Sequence, residues 1–210
     1  MSRKLLLIGG GGHCRSVLDT AIRLNIFDEI GIVDFTDSSC LGVKVVGNDD
    51  DIPSLINNGW NEAFITVGSV GDTSIRRRLY KMAKDLNLTI PALIDPTAVI
   101  ANGVEIGEGV FIGKRAIVNT CSTIGRCAII NTGAIVEHDC RIGDFAHISP
   151  GAVVCGQVTV GEDSHVGAGA VVRQQIVIGD NALIGAGSVV VANVAASVKA
   201  YGNPCKVVEK

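Results

Sequence analysis

A chain of 210 residues is long enough for two small domains, and its 47% hydrophobic and 19% charged residues are sufficient for packed cores. The formal net charge of -3, without a long run of Lys and Arg, argues against a nucleic-acid or membrane-surface partner. No apolar stretch reaches the roughly 18 residues of a membrane span, and no signal-peptide pattern precedes the first strand, so we expect a cytoplasmic protein.

Residues 1–90 alternate between strand-like and helix-like patterns. The apolar run KLLLI at residues 4–8 predicts a buried strand, which leads into a GGGGH loop at residues 9–13. In chain order the sequence predicts strands at 4–8, 30–34 and 63–67 and helices at 14–24, 52–57 and 73–86. This alternation predicts an α/β, Rossmann-like domain in which helices cover a small parallel sheet.

Two compositional features have plain structural interpretations. The third predicted helix carries the basic run Arg76–Arg78, and a short charge run on a helix usually forms a solvated face. The seven cysteines show no CxxC spacing, which argues against a disulfide framework and a zinc knuckle. We therefore expect most of them to be small buried apolar residues.

From residue 91 onward the sequence repeats with a period of six. Every sixth residue from Ile94 to Val190 is Ile or Val, and the residue four places later, from Ala98 to Val194, is always small or β-branched. An α-helix would scatter these aliphatics around its axis, and a regular strand, which alternates every two residues, would not produce a period of six. A corner every six residues does so, because three short strands then close a triangular coil of eighteen residues. The sequence therefore predicts a parallel β-helix over residues 91–210.

The strand ends of the α/β domain are natural ligand sites, because parallel sheets bind ligands at the carboxyl ends of their strands. The GGGGH loop, Asp34 and Gly68 occupy these positions. Glycines there allow a phosphate to approach backbone N–H groups. A dinucleotide fingerprint would need GxGxxG, but Cys14 stands where the third glycine is required, so NAD binding is the weaker alternative.

One histidine of the β-helix is a candidate general base. His138, in the sequence VEHDC, stands at the third position of its hexad, which points outward, and Glu137 and Asp139 flank it. A carboxylate beside an imidazole can fix its tautomer and stabilise its charged form, as general-base catalysis requires.

Two further histidines, His147 and His165, are eighteen residues apart, so a regular coil stacks one above the other. Both could contact a ligand. A metal site is the other interpretation, because the γ-class carbonic anhydrases resemble this chain in β-helix architecture and use histidines shared between subunits. That site would need a third ligand from a neighbour, for which His138 is the only candidate.

The motifs that carry a family resemblance lie in both parts of the chain: GGGGH at 9–13, Asp34, Gly68, NTGAIVEHDC at 131–140, His147 and GNPCK at 202–206. With them the chain resembles the hexapeptide-repeat acetyltransferases that act on sialic acid and amino sugars. Its near relatives in that family are the UDP-4-amino-sugar N-acetyltransferases of bacillosamine-type pathways. The resemblance covers essentially the whole chain and implies left-handed coils, a homotrimer and acetyl-CoA as the donor.

The resemblance also implies roles for individual residues. His138 would be the general base, and Asp139 the carboxylate that raises its basicity. The implied contacts to acetyl-CoA are His147, Gly156, Ala168, Ala186, Asn203 and Lys206. The implied contacts to the nucleotide sugar are Gly11, Gly12, His13, Asp34, Phe35, Gly68 and Asn131.

The expected activity is N-acetylation of a UDP-linked 4-amino sugar by direct attack on the thioester, with active sites between subunits and no metal. Outward aliphatics such as Ile117, Val153 and Val171 agree with a trimer, since flat apolar faces need cover. O-acetylation of a sialic acid or related sugar hydroxyl is the alternative within the same family. A γ-type metalloenzyme and a nucleotide-sugar binding or scaffold protein without turnover are the alternatives from other classes.

Overall fold

The computed structural model describes residues 2–208, so the predicted domain ends at residues 1 and 209–210 lie outside the described residues. The elements of the α/β domain are β1 Lys4–Ile8, α1 Gly12–Leu24, β2 Glu29–Val33, β3 Val45–Gly47, a 3-10 turn Asp49–Asp51, α2 Ile52–Asn57, β4 Glu62–Ile65 and α3 Ser74–Asp85. The strands form one parallel sheet in the order β3-β2-β1-β4.

The central strand β1 is apolar along its length because helices cover both faces of the sheet. Leu5 and Leu7 point to one side, where they pack with Val17 of α1. Leu6 and Ile8 point to the other side and join the cluster that includes residues of α2 and α3. The predicted Rossmann-like layering is confirmed.

Three details of this domain differ from the sequence prediction. Helix α1 begins two residues early, at Gly12, so part of the glycine loop forms its first turn despite the low helix propensity of glycine. Strand β3 was not predicted, since it is a three-residue edge strand with no fully buried side chain. The solvated face expected of the basic run was wrong for Arg76, which is 3% exposed because α3 packs this position against the β-helix.

The β-helix is a stack of triangular coils. Its strands are β5 Leu93–Ile94, β6 Val99–Ile100, β7 Glu105–Ile106, β8 Phe111–Ile112, β9 Ile117–Val118, β10 Thr123–Ile124, β11 Ile129–Ile130, β12 Ile135–Val136, β13 Arg141–Ile142, β14 His147–Ile148, β15 Val153–Val154, β16 Thr159–Val160, β17 His165–Val166, β18 Val171–Val172, β19 Val177–Ile178, β20 Leu183–Ile184, β21 Val189–Val190, β22 Lys199–Tyr201 and β23 Lys206–Val207. From β5 to β21, strands that pair are eighteen residues apart, as in Ile130 against Ile148, so the predicted coil length is confirmed.

Three sheets form the sides of this prism, and we name each face by the domain that covers it or by the side chains on its outer surface. The covered face (β5, β8, β11, β14, β17, β20, β22 and β23) packs against the α/β domain, where Phe111 joins the core of α1. The apolar face (β6, β9, β12, β15, β18 and β21) exposes Val99, Ile117 and Val171. The polar face (β7, β10, β13, β16 and β19) exposes side chains such as Arg141. None of the helices within residues 2–208 has the length and hydrophobicity to cross a bilayer.

Polar contacts also join the α/β domain to the covered face. The carboxylate of Asp95, 1% exposed, accepts hydrogen bonds from Thr20 Oγ1 at 2.9 Å and from Arg23 Nη1 at 3.2 Å. At the start of α3, Arg77 forms a two-point ion pair with Asp163, with both N–O distances at 2.7 Å. These contacts restrain the domains on two sides of the interface.

Candidate active site

His138 lies at the corner between the apolar and polar faces, with its side chain 50% exposed. Its Nδ1 is 2.8 Å from Oδ2 of Asp139. A carboxylate accepts hydrogen bonds, so Nδ1 carries the proton and the lone pair lies on Nε2. Glu137, the other flanking carboxylate, instead accepts a hydrogen bond from Asn119 Nδ2 at 3.0 Å. The structure thus selects Asp139 as the partner of His138.

Gly156 lies directly against the free nitrogen of His138. A Cβ atom added at Gly156 would be 2.6 Å from His138 Nε2, so the ring needs glycine at this position one coil further on. The corner N–H of Thr132 is capped by the side-chain oxygen of Asn131 at 2.8 Å. Asn119 caps the corner N–H of Thr120 in the same way, at 2.8 Å. By contrast, within residues 2–208 the following corner N–H groups have no hydrogen-bond partner: Gly156, Ala168 and Ala186.

A second group of predicted site residues lines a cleft of about 410 Å³ between the two domains. The cleft is bounded by Gly12, His13, Ser16, Gly68, Ser69, Val70, Asn131 and His147. Four predicted sugar contacts thus lie together with the predicted cofactor contact His147.

The imidazole of His147 is tied to both sides of this cleft. Its Nδ1 lies 3.1 Å from the carbonyl oxygen of Ser69, to which it donates, and Nε2 accepts from Asn131 Nδ2 at 3.1 Å. Burial, and then the neighbouring imidazole of His165, lower the pKa of His147 to about 3. His147 is therefore neutral at physiological pH and acts as a fixed hydrogen-bonding group.

His165 is buried in the same region, and His13 is largely shielded from solvent there. Burial, and secondarily the charge of Arg76, lower the pKa of His13 to about 4, and Nε2 of His13 has no hydrogen-bond partner among the described residues. His165 stacks on His147 in register, as predicted, and meets it edge to face with 4.8 Å between ring centroids. Within residues 2–208, no third His, Cys, Asp or Glu completes a metal-binding group with this pair.

Asp34 and Phe35 border a different cleft of about 720 Å³, formed with the segment that leads to β3. Asp34 accepts hydrogen bonds from the backbone N–H and hydroxyl of Thr36, both at 2.9 Å, and from the backbone N–H of Gly10. These hydrogen bonds hold the pKa of Asp34 below its usual value, and the bond from the Thr36 N–H lowers it most. Phe35 is 72% exposed. Gly11 is exposed with open space around it and lines neither cleft.

The remaining predicted cofactor residues follow one edge of the prism. Ala168 and Ala186 are exposed at successive corners between the covered and apolar faces. Asn203 and Lys206 are exposed beyond the last full coil, and Lys206 pairs with Tyr201 across β22 and β23.

The candidate residues of one chain therefore lie on two different edges. His138, Asp139 and Gly156 are at the corner between the apolar and polar faces, whereas Asn131 and the exposed Ala168 and Ala186 are at the corner between the covered and apolar faces. The apolar face separates the two groups. A single chain does not bring the imidazole to the interdomain cleft.

Comparison with known proteins accounts for both domains. Residues 4–83 match the PglD N-terminal domain, and residues 139–174 and 157–192 match the bacterial transferase hexapeptide (six repeats). A search of curated protein sequences found no significant match. Among solved structures, a mutant of perosamine N-acetyltransferase from Caulobacter crescentus, in complex with CoA and GDP-perosamine, is 36% identical with a TM-score of 0.93. That match covers 100% of this chain and 98% of the other.

The chain belongs to the hexapeptide-repeat sugar N-acetyltransferases. The acetyltransferase domain of PglB from Neisseria gonorrhoeae, in complex with acetyl coenzyme A, is 34% identical with a TM-score of 0.93, over 99% of this chain and 100% of that one. WeeI from Acinetobacter baumannii, at 23% identity and a TM-score of 0.87, supports the fold alone.

Membership of this acetyltransferase family confirms several expectations from the sequence. The fold is the predicted Rossmann-like domain followed by a left-handed parallel β-helix, and the activity is confirmed, at the level of the family, as that of an acetyl-CoA-dependent acyltransferase. Family membership favours an acyltransferase over the three alternatives from other classes, which were a metalloenzyme, an NAD-binding protein and a scaffold protein.

Sequence reasoning missed part of this acetyltransferase's cleft. Ser69, whose carbonyl holds His147, and Val70 line it beside the predicted Gly68. Their only signal in the sequence was their position directly after a strand-end glycine. The loop of residues 36–45 beside Asp34 was also missed, because it carries no repeat and no motif.

Proposed function

We propose that this enzyme transfers the acetyl group of acetyl-CoA to the amine of a nucleotide-linked 4-amino sugar. The observation that carries this proposal is the geometry of His138, whose Nδ1 is held by Asp139 and whose Nε2 faces a glycine corner with a free N–H. The boundary between the two domains would lie at residue 90, and the first domain would bind the nucleotide sugar. We expect the enzyme to act in the cytoplasm.

The donor would lie along the edge between the covered and apolar faces. The free N–H groups of Ala168 and Ala186 are one coil apart, and amide carbonyls of an extended pantetheine arm can accept from both. Asn203 and Lys206 stand at the end of the same edge, where Lys206 can pair with a phosphate of the adenosine end.

In the reaction, the sugar nitrogen attacks the thioester carbonyl carbon, the new C–N bond forms, and the C–S bond breaks. His138 Nε2 takes the proton from the attacking nitrogen and returns it to the departing thiolate, which leaves as free CoA. The N–H of Gly156 is positioned to stabilise the developing oxyanion. Burial raises the pKa of Cys14 to about 11 and of Cys127 to about 12, so these thiols are poor nucleophiles, in agreement with direct attack.

Assembly of three copies would complete the site. The exposed aliphatics Val99, Ile117 and Val171 form a ladder on the apolar face. If three prisms turn this face toward a common axis, each pair of neighbours meets along unlike edges. The His138 edge of one copy then lies beside the donor edge and interdomain cleft of the next.

The acceptor would occupy the interdomain cleft and the glycine loop, which can receive a diphosphate. UDP is the nucleotide that the sequence resemblance predicts. The Caulobacter relative is complexed with GDP-perosamine, so a guanine nucleotide is the main alternative to UDP. The segment around Phe35 would decide between the two bases.

An assay of CoA release with an acceptor panel tests this function. The panel contains UDP-4-amino and GDP-4-amino sugars, UDP-sugars without the amine, and sialic acid. We expect release with a 4-amino acceptor and a product heavier by one acetyl group. Release only with sialic acid would establish O-acetylation, and no release with any acceptor would refute the proposal.

The assembly is tested with Ile117→Glu, which places charge on the apolar face, and with the matched variant Arg141→Glu on the polar face. We expect the first to sediment as a monomer without activity and the second to remain an active trimer. A monomeric and active wild-type enzyme would contradict the shared site.

A further inference from the structure

Arg76 is a buried cation of α3 that crosses the domain interface. Its guanidinium donates to the carbonyl oxygen of Phe145 at 2.9 Å, to the carbonyl oxygen of Cys127, and to Ser69 Oγ at 3.3 Å. It also lies 5.6 Å from the ring centroid of Phe145. One side chain therefore connects a helix, two corners of the β-helix and the loop that borders the cleft.

This cation is unusual because it lacks an ion pair. Among residues 2–208 no carboxylate lies within salt-bridge distance of Arg76, and its Nε has no hydrogen-bond partner. Burying a charge in this way costs free energy that an apolar side chain would not. Burial accordingly lowers the pKa of Arg76 to about 10, so it remains charged at neutral pH. Domain docking alone does not call for such a group, because Arg77 and Asp95 already hold the interface.

The structural link runs from Arg76 to the cleft through one residue. Ser69 receives the Arg76 hydrogen bond on its hydroxyl and the His147 hydrogen bond on its carbonyl. His147 in turn accepts from Asn131. Moving Ser69 would thus break the hydrogen bond that holds His147 in place beside the cleft.

We propose that Arg76 is a positioning residue, which fixes the Gly68–Val70 loop against the β-helix and so shapes the acceptor side of the active site. The inference rests on the proposed function, since that function assigns the acceptor to this cleft. The charge of Arg76 has a second effect, because it adds to burial, the larger cause, in disfavouring the protonated forms of His13 and His147.

Steady-state kinetics of Arg76→Gln tests the proposal. We expect the KM for the nucleotide sugar to rise about tenfold while the KM for acetyl-CoA stays within about twofold. Arg77→Gln is the matched control, since it also breaks an interdomain contact but touches no residue of the cleft. Equal changes in acceptor KM for the two variants would reduce Arg76 to a docking contact and overturn the proposal.

A spectroscopic readout in the unliganded protein separates this proposal from the proposed function. In Arg76→Gln the NMR titration midpoint of His13 should move upward from about 4, whereas in Arg76→Lys, which keeps the charge, it should stay near the wild-type value. An unchanged midpoint in Arg76→Gln would overturn the electrostatic part. If Arg76→Gln does not fold, Arg76→Lys still tests positioning, because losing the planar fork should raise the acceptor KM alone.

Discussion

The β-helix holds histidines in two settings that differ in solvation and in bonding. His138 stands half exposed on a corner with a carboxylate on one nitrogen and the other nitrogen free, so water can solvate its charged form. His147 is largely shielded from solvent, uses both nitrogens in hydrogen bonds to the protein, and is neutral. The first arrangement suits proton transfer and the second suits a rigid wall. Residue type alone does not separate them.

Removing the exposed imidazole gives the largest expected effect on activity. His138→Ala should lower turnover by about a hundred- to ten-thousandfold, because the base is lost, while the thermal midpoint stays close to that of the wild type. His147→Gln should reverse this pattern, with a larger loss of stability than of turnover at saturating acceptor. Turnover and thermal unfolding of both variants provide the measurement. If His138→Ala turned over at the wild-type rate, His138 would not be the general base and the contrast between the two histidines would not hold.

Lowering the pH should first destabilise the protein through the histidines whose pKa is lowered by burial. The pKa of His13 in the folded state is about 4, below its ordinary value of 6.5, so the unfolded chain takes up protons first as the pH falls. Stability is complete above about pH 6.5 and declines toward pH 4, where His13 alone accounts for about 3 kcal/mol. Denaturant unfolding at pH 7 and pH 5 measures this loss. His147→Gln should reduce this loss, since the pKa of His147 is also lowered in the folded state.

The carboxylate that orients His138 has a smaller expected effect. Asp139 has a φ of 58°, a left-handed conformation that asparagine also accepts, so Asp139→Asn changes charge with little backbone strain. Turnover should fall on the order of ten- to a hundredfold, because an amide can favour the wrong tautomer of His138. Asp139→Ala should lose activity and also stability. Equal rates for Asp139→Asn and wild type would mean that this hydrogen bond is not used.

The β-helix could be predicted because its signal repeats. Each coil supplies the same pattern again, so Ile130 and Ile148 identify their own partners, and the outward position of His138 follows from its place in the hexad. The buried state of Arg76 could not be predicted, because helical periodicity does not show that a second domain packs on α3. The six-residue period already places Asn131 and His138 at successive corners, but it does not show which face the α/β domain covers.

The central claim is that His138 of one copy acts on the cleft of another. Gly12→Glu blocks the cleft with a negative charge at a position where an added Cβ meets no neighbour, and it should be inactive, as His138→Ala should be. When the two inactive variants are unfolded and refolded together, about a quarter of the sites combine an intact His138 with an intact cleft. We predict recovery of activity toward that level. Mixtures as inactive as the separate variants would contradict the account.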